Sequence, residues 1–201
     1  MPYPKDHKEK TRAKITEAAR ILFNRHGYDR VTIEQVMAEA GLTRGGFYAH
    51  FSGKEALFAE AMASFLMGRG ARWRDEAGIV PNACEVEMAE RMVDAYLSRQ
   101  HLEDVDGQCP MIALSSDAAR IGPDVRAAYE KLLTAMVWLF EVNIGTDRPT
   151  ARRDALSMAA LCVGGMILAR TLPDSALADE VRGAAHGQAR AICDGAPAKA
   201  A

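Results

Sequence analysis

The chain has 201 residues, 49% of them apolar and 26% charged, with a net charge of −2. That length suits one large domain or two small ones, and the composition is that of a globular protein with a sizeable core, not a fibrous or disordered chain. Four cysteines, Cys84, Cys109, Cys162 and Cys193, lie far apart without a C-x-x-C pair, which argues against both a zinc site and a disulfide framework.

The longest uninterrupted apolar run, "ALSMAALCVGGMILA", is shorter than the roughly 20 residues that span a bilayer, and Arg152, Arg153 and Asp154 stand just before it. The first residues, "MPYPKDHKEKTRAK", are charged and do not read as a secretory signal. A cytoplasmic protein without a membrane partner is expected. Charge is unevenly placed: residues 1–54 hold ten Lys/Arg and six Asp/Glu, so the basic quarter sits on an acidic remainder.

In chain order, Ile15, Ala18, Ala19, Leu22 and Phe23 follow the i, i+3, i+4, i+7, i+8 spacing of one buried helix face. This predicts a helix over 8–25, ended by Gly27. Thr32 and Gln35 form a capping box for a short second helix with Ile33, Val36, Met37 and Ala40 inward, stopped by Gly41. Thr43 is placed to cap a third helix of barely two turns, ending near Phe51. Ser52 and Glu55 read as a further capping box, opening a helix through Leu57, Phe58, Ala61, Met62, Phe65 and Leu66. Beyond a loop at 75–84, helices are expected near 85–102, 110–120, 123–144, 150–171 and 175–193. Pro110, Pro123 and Pro149 stand in or just before first turns. The closing "GAPAKAA" has no such pattern and is expected to fray. The fold class is therefore all-α, with about nine helices.

The short second helix, a tight turn and the third helix have the dimensions of a helix-turn-helix, whose second helix enters the DNA major groove. Phe47 and Phe51, four apart, share the inward side with Leu42. Arg44, Gly45, Tyr48 and Ala49 fall on the other. An outward tyrosine beside an arginine suits nucleic acid better than water, since its ring meets a thymine methyl and its hydroxyl a phosphate. Adjacent glycines cost about 1 kcal/mol each in a helix, and Gly45 and Gly46 read as positions of close backbone approach to the duplex. Lys54 starts the next helix, where ammonium and helix dipole would meet one phosphate.

The stretch "TIEQVMAEAGLTRGGFYAHFSGKEAL" resembles the DNA-binding segment of the TetR/AcrR family of bacterial regulators, over roughly residues 8–66. The resemblance implies an N-terminal helix-turn-helix domain (1–52) and an effector-binding and dimerisation domain (53–201). It implies DNA contacts by Thr32, Thr43, Arg44, Gly45, Gly46, Tyr48, His50 and Lys54: Thr32 at a phosphate, Thr43, Arg44 and Gly45 at the groove, Tyr48, His50 and Lys54 along the backbone. The chain departs from the family pattern at Gly46, at Ala49 and at Met37, which replaces a usual alanine where the two helices cross. With fewer side chains to read bases, Arg44 becomes the main candidate for a guanine.

In the body, methionines and aromatics suggest an adaptable apolar site, and the family resemblance implies an effector pocket there. Met92, Tyr96, Met111 and Trp138 are the expected lining. Cys109 precedes Pro110 at an expected helix start, where a thiol is made more reactive; it reads either as a redox or electrophile sensor or as a small buried residue. Small residues (Ala159, Ala160, Gly164, Gly165, Ala184, Ala185, Ala189) beside Leu156, Val163, Ile167, Leu177, Val181 and Ile192 suggest that the last two helices form a homodimer interface.

Catalytic signatures are missing from the sequence, so an enzyme, a metal site and a cofactor are not expected. The reading is a homodimeric, cytoplasmic transcriptional repressor holding double-stranded operator DNA and released by a small apolar effector. The alternatives are a repressor switched through Cys109 and, from another class, a helical ligand-binding or scaffold protein that binds no DNA.

Overall fold

Apolar spacing of three and four becomes helix along the whole chain. The computed structural model describes residues 5–195, and among these there is no strand. The predicted frayed end lies, apart from Gly195, outside the described residues. The helices are α1 (Lys5–Arg30), α2 (Ile33–Glu39), a 3₁₀ helix (Arg44–Ala49), α3 (Lys54–Ser64), α4 (Arg69–Glu76), α5 (Val86–Tyr96), α6 (Arg99–Glu103), α7 (Pro110–Ala113), α8 (Ser115–Ile121), α9 (Pro123–Ile144), α10 (Ala151–Thr171) and α11 (Ala176–Cys193).

Among the described residues this exceeds the expected number because two predicted segments split and α4 is added. The 85–102 segment breaks at Ser98, whose side chain accepts the His101 N–H and caps α6. The 110–120 segment breaks at Leu114, which leaves helical geometry at φ −125°, ψ 14°. Within α1, Gly27 has φ 75° and ψ 173°, so regular helix does end there as expected, in a conformation that favours glycine.

Two compact units divide the chain: Met1–Arg69 with Val105–Lys131, and Gly70–Asp104 with Leu132–Ala201. The first extends past residue 52, because Phe58 of α3 packs edge-on against Phe23 of α1 with ring centroids 4.7 Å apart. Ile15, Ala19, Phe23, Val36, Phe47, Leu57 and Phe58 are completely buried at its centre. Polar groups tie α1 to the residues before α7. Asn24 donates to the Gln108 carbonyl at 2.8 Å, Arg20 donates to the Asp106 carbonyl, and Arg25 grips the Asp106 carboxylate. That guanidinium holds Asp106 below the usual carboxylate range.

The second unit is built on α10 and α11. By length and composition α10 is apolar enough to cross a membrane, a property hidden when only the uninterrupted apolar run is counted. Its Met158, Ala159, Cys162 and Met166 are completely buried, although less than half of its apolar stretch is. The two helices touch closely: a Cβ built on Gly165 would stand 2.6 Å from the Ala185 Cβ. Neither atom could swing away, since both are fixed to helical backbone. Gly165→Ala should therefore force α10 and α11 apart and destabilise this unit by about 1–3 kcal/mol, measurable as a lower denaturant midpoint. Gly164→Ala, where nothing in the same chain lies within 4 Å, should leave the packing of α10 on α11 unchanged. Buried Cys162 and Cys193 are inert thiols, burial pushing Cys193 up to about 12.

Candidate nucleic-acid interface

The predicted capping box at α2 is present in both directions. The Thr32 N–H donates to Gln35 Oε1 at 2.8 Å, and the Gln35 N–H donates to Thr32 Oγ1 at 3.2 Å. At the other end Gly41 adopts φ 68°, and the N–H groups of Gly41 and Leu42 donate to the carbonyls of Ala38 and Met37. That is a Schellman closure, with glycine in the left-handed position it requires. The chain therefore leaves α2 by a fixed route into the turn.

The third helix is a 3₁₀ helix, not the α-helix expected. Its first turn carries both glycines, which weaken α-helix by about 1 kcal/mol each, and Gly46 donates to Thr43 in the tighter pattern. Thr43 is its N-cap residue, but the hydroxyl makes no capping bond. The predicted Ser52–Glu55 box is also replaced: Gly53, in an extended conformation, is the N-cap of α3, without a side-chain cap.

Faces are divided as the sequence predicts. Phe47 is completely buried and stacks with Phe51 at 5.7 Å, while Tyr48, next in the chain, is 63% exposed. Thr32, Thr43, Arg44, Gly45 and Ala49 are exposed with it. A Cβ on Gly45 would meet nothing within 4 Å, and one on Gly46 would meet only the Met37 methyl, at 3.7 Å. Two departures from the family pattern are thus one packing solution: Met37, itself buried, reaches beneath the position where Gly46 has no side chain.

Arg44 projects outward but pairs with Glu34 of α2 at 2.6 Å. Both groups are largely exposed, so the pair adds little stability; it orients the guanidinium across the face. Lys54 is partly buried, its Nζ 4.1 Å above the centre of the Tyr28 ring. Burial lowers its pKa against the opposing pull of Asp29 and Asp117.

Sequence reasoning missed Arg12. Its Nε donates to Glu60 Oε1 at 2.8 Å, its Nη2 reaches Glu60 Oε2, and its Nη1 donates to the His50 carbonyl. The guanidinium also lies 4.1 Å from the centre of the Phe51 ring. One side chain of α1 thereby joins the end of the 3₁₀ helix to α3, with a planar fork that only arginine provides. No local pattern marks it, because its partners are 38 and 48 residues away.

His50 is half-buried, and among the described residues its Nδ1 has no hydrogen-bond partner. Burial first, then the charges of Lys8, Arg12 and His7, hold its pKa below the ordinary 6.5. A phosphate beside the ring would favour the charged form, so duplex binding should take up a proton. Affinity should therefore rise as pH falls from the bound pKa to the free one, the latter below 6.5, and flatten beneath it; His50→Gln should remove this component. Folding stability moves the other way. Its His50 contribution is present above pH 6.5 and lost as pH falls through the depressed folded value, which melting curves of both proteins would check.

In the second unit, Met92 and Tyr96 lie on the buried face of α5, whereas Trp138 on α9 is 45% exposed. Met111 is buried on α7 in the first unit. A cavity of about 850 Å³ in the second unit is lined by other residues, among them Arg148, Thr150, Asp154, Ser157, Gln188 and Ile192, a more polar set than the expected pocket. Cys109 is the N-cap residue of α7 but only 3% exposed, a position that favours the structural reading over the sensor.

Residues 15–61 match the family model described as "Bacterial regulatory proteins, tetR family". Over 54 residues the chain is 44% identical to the uncharacterized HTH-type transcriptional regulator YfiR of Bacillus subtilis, covering 27% of this chain and 26% of that protein. Over 53 residues it is 38% identical to the HTH-type transcriptional repressor Rv1474c of Mycobacterium tuberculosis, covering 26% of this chain and 28% of that protein. Both matches span about a quarter of the relative's length, and both relatives are named as regulators, not enzymes. A crystal structure of a TetR transcriptional regulator from Chloroflexus aurantiacus shares the fold over 93% of this chain and 96% of its own, with a TM-score of 0.71 at 24% identity. Over residues 15–61, with the capped α2, the glycine turn and the outward tyrosine, the chain is thus similar to the tetR family of bacterial regulatory proteins, and its fold is that of the Chloroflexus aurantiacus regulator.

Proposed function

We propose that the protein is a homodimeric repressor that holds a palindromic operator and is released when a small apolar effector occupies its body. The DNA-binding domain is the 1–52 segment, and residues 53–201 carry effector binding and dimerisation. The observation that carries the reading is the split of the 3₁₀ helix: Phe47 is wholly inside while Tyr48 stands outside beside Arg44. An exposed aromatic on a small-residue surface suits a groove, and Thr32, Thr43, Gly45, Gly46, His50 and Lys54 complete the face. Two such helices about 34–36 Å apart would meet successive major grooves.

Support for self-association comes from α10 and α11. Leu156, Leu168 and Leu177 are each about half exposed, and Cβ atoms on Gly164, Gly183 and Gly187 would meet nothing. Such a surface admits close helix approach by a second copy. Effector release is a population shift, in which ligand favours a spacing of recognition helices that no longer fits DNA. The cytoplasm is where such a protein meets its operator.

Retention on duplex DNA at graded salt tests the reading. Phosphate contacts make log affinity fall with log salt at a slope near −0.9 per phosphate neutralised. Salt-independent retention, or none at low salt, would favour the scaffold alternative. Sedimentation over a dilution series tests the dimer.

A further inference from the structure

We propose that Asp117 of α8 is a positioning residue for the DNA contact of Lys54, acting by holding the Tyr28 ring on which the ammonium rests. The inference rests on the DNA-binding reading above and concerns a residue some sixty positions beyond the helix-turn-helix.

Asp117 Oδ2 accepts the Tyr28 backbone N–H at 3.0 Å, and its Oδ1 accepts from Arg120 at 3.0 Å. The carboxylate is therefore held at both oxygens, and only 14% exposed. The Tyr28 N–H is available to it because Gly27 has left helical geometry. A Cβ at Gly27 would lie 3.3 Å from Asp117 Oδ2, so glycine serves both the backbone turn and the close approach. Tyr28 is fixed from the other side by rings: it stacks on Phe23 at 6.0 Å and meets Phe58 edge-on at 5.1 Å. Lys54 Nζ sits over the Tyr28 ring, 4.1 Å from its centre.

A lysine stem is flexible, and ordering it on binding a phosphate opposes affinity. Resting on a fixed ring removes most of that freedom beforehand, while attraction to a ring at a partly exposed site is weak enough to yield to a phosphate. Burial of the ammonium and the nearby carboxylates of Asp29 and Asp117 are consistent with this resting place.

The test measures retention of the full chain on a 40-base-pair duplex of mixed sequence at graded salt. Asp117→Ala should bind about fivefold more weakly, with a salt slope shallower by about 0.9. Asp117→Asn, which keeps an acceptor oxygen, should bind within about twofold of the parent. In a Lys54→Ala background, Asp117→Ala should have no further effect. Tyr28→Leu, which keeps the backbone N–H but removes the ring face, should reproduce the loss and covers the case in which Asp117→Ala does not fold. If the Asp117→Ala loss persists in the Lys54→Ala background, or the salt slope is unchanged in Asp117→Ala or Tyr28→Leu, the proposal is overturned while DNA binding stands. If the parent itself fails to retain the duplex at low salt, the DNA-binding reading falls and this inference with it.

Discussion

Alanine at Phe47 is expected to destabilise the protein by about 3–5 kcal/mol, while alanine at the adjacent Tyr48 should leave stability within about 0.5 kcal/mol of the parent. Phe47 is completely buried, as are Val36 and Leu57, and it is stacked on Phe51. Its removal leaves a cavity that helix backbones cannot close. In a chain of this size, the loss corresponds to a fall in melting temperature on the order of 10 °C. Tyr48 touches the Phe47 ring edge-on at 5.2 Å but is otherwise exposed, so its removal forfeits little packing. On DNA the order reverses. Tyr48→Ala should weaken specific binding by about 1–3 kcal/mol, about fivefold to 150-fold, without changing the melting curve. Equal thermal shifts for the two variants would mean that the tyrosine is structural and the proposed interface is wrong.

Arg44→Ala is expected to flatten sequence preference more than it weakens binding overall. Among the exposed residues of the 3₁₀ helix it alone carries a fork able to take both acceptors of a guanine, a contact worth about 1–3 kcal/mol of discrimination. Phosphate contacts elsewhere would remain, so the salt slope should change by less than one phosphate. Its partner predicts the opposite effect. Glu34 holds Arg44 at 2.6 Å in the free protein, and the backbone N–H of its own residue, then Arg44 and Thr32, keep the carboxylate ionised. On a duplex that charge would face phosphates, and the pair would have to be shared or broken. Exposed pairs are worth less than about 1 kcal/mol, so Glu34→Gln should raise affinity by up to about fivefold and leave preference intact. Competition among duplexes differing at single base pairs, run with both variants, separates these effects. A Glu34→Gln protein that binds more weakly would show that the carboxylate helps to read the site.

The two glycines give the third helix its character, and the structure sharpens what they do. Neither is forced by a clash within the free chain, since a methyl at either position would find room. They weaken α-helix in their turn, where packing then selects 3₁₀, and they leave the surface bare beside Tyr48 and Arg44. Met37 fills the underside of that surface, so helix crossing is maintained despite the missing side chain.

Interactions within a few residues were legible in the sequence: the Thr32–Gln35 box, the Gly41 stop, the break at Gly27, and the inward Phe47 and Phe51 against the outward Tyr48. These follow from backbone geometry and helical period, which any short segment carries with it. The 3₁₀ character of Arg44–Ala49 and the capping of α3 by Gly53 were not legible, because helix types differ by little free energy locally and packing selects between them. Only the tertiary structure brought Arg12 to Glu60 and His50, Asp106 to Arg20 and Arg25, and Asp117 to Tyr28 and the Lys54 ammonium. Those partners lie tens of residues apart in the chain. Their meeting depends on how helices fold back on one another, which no local pattern records.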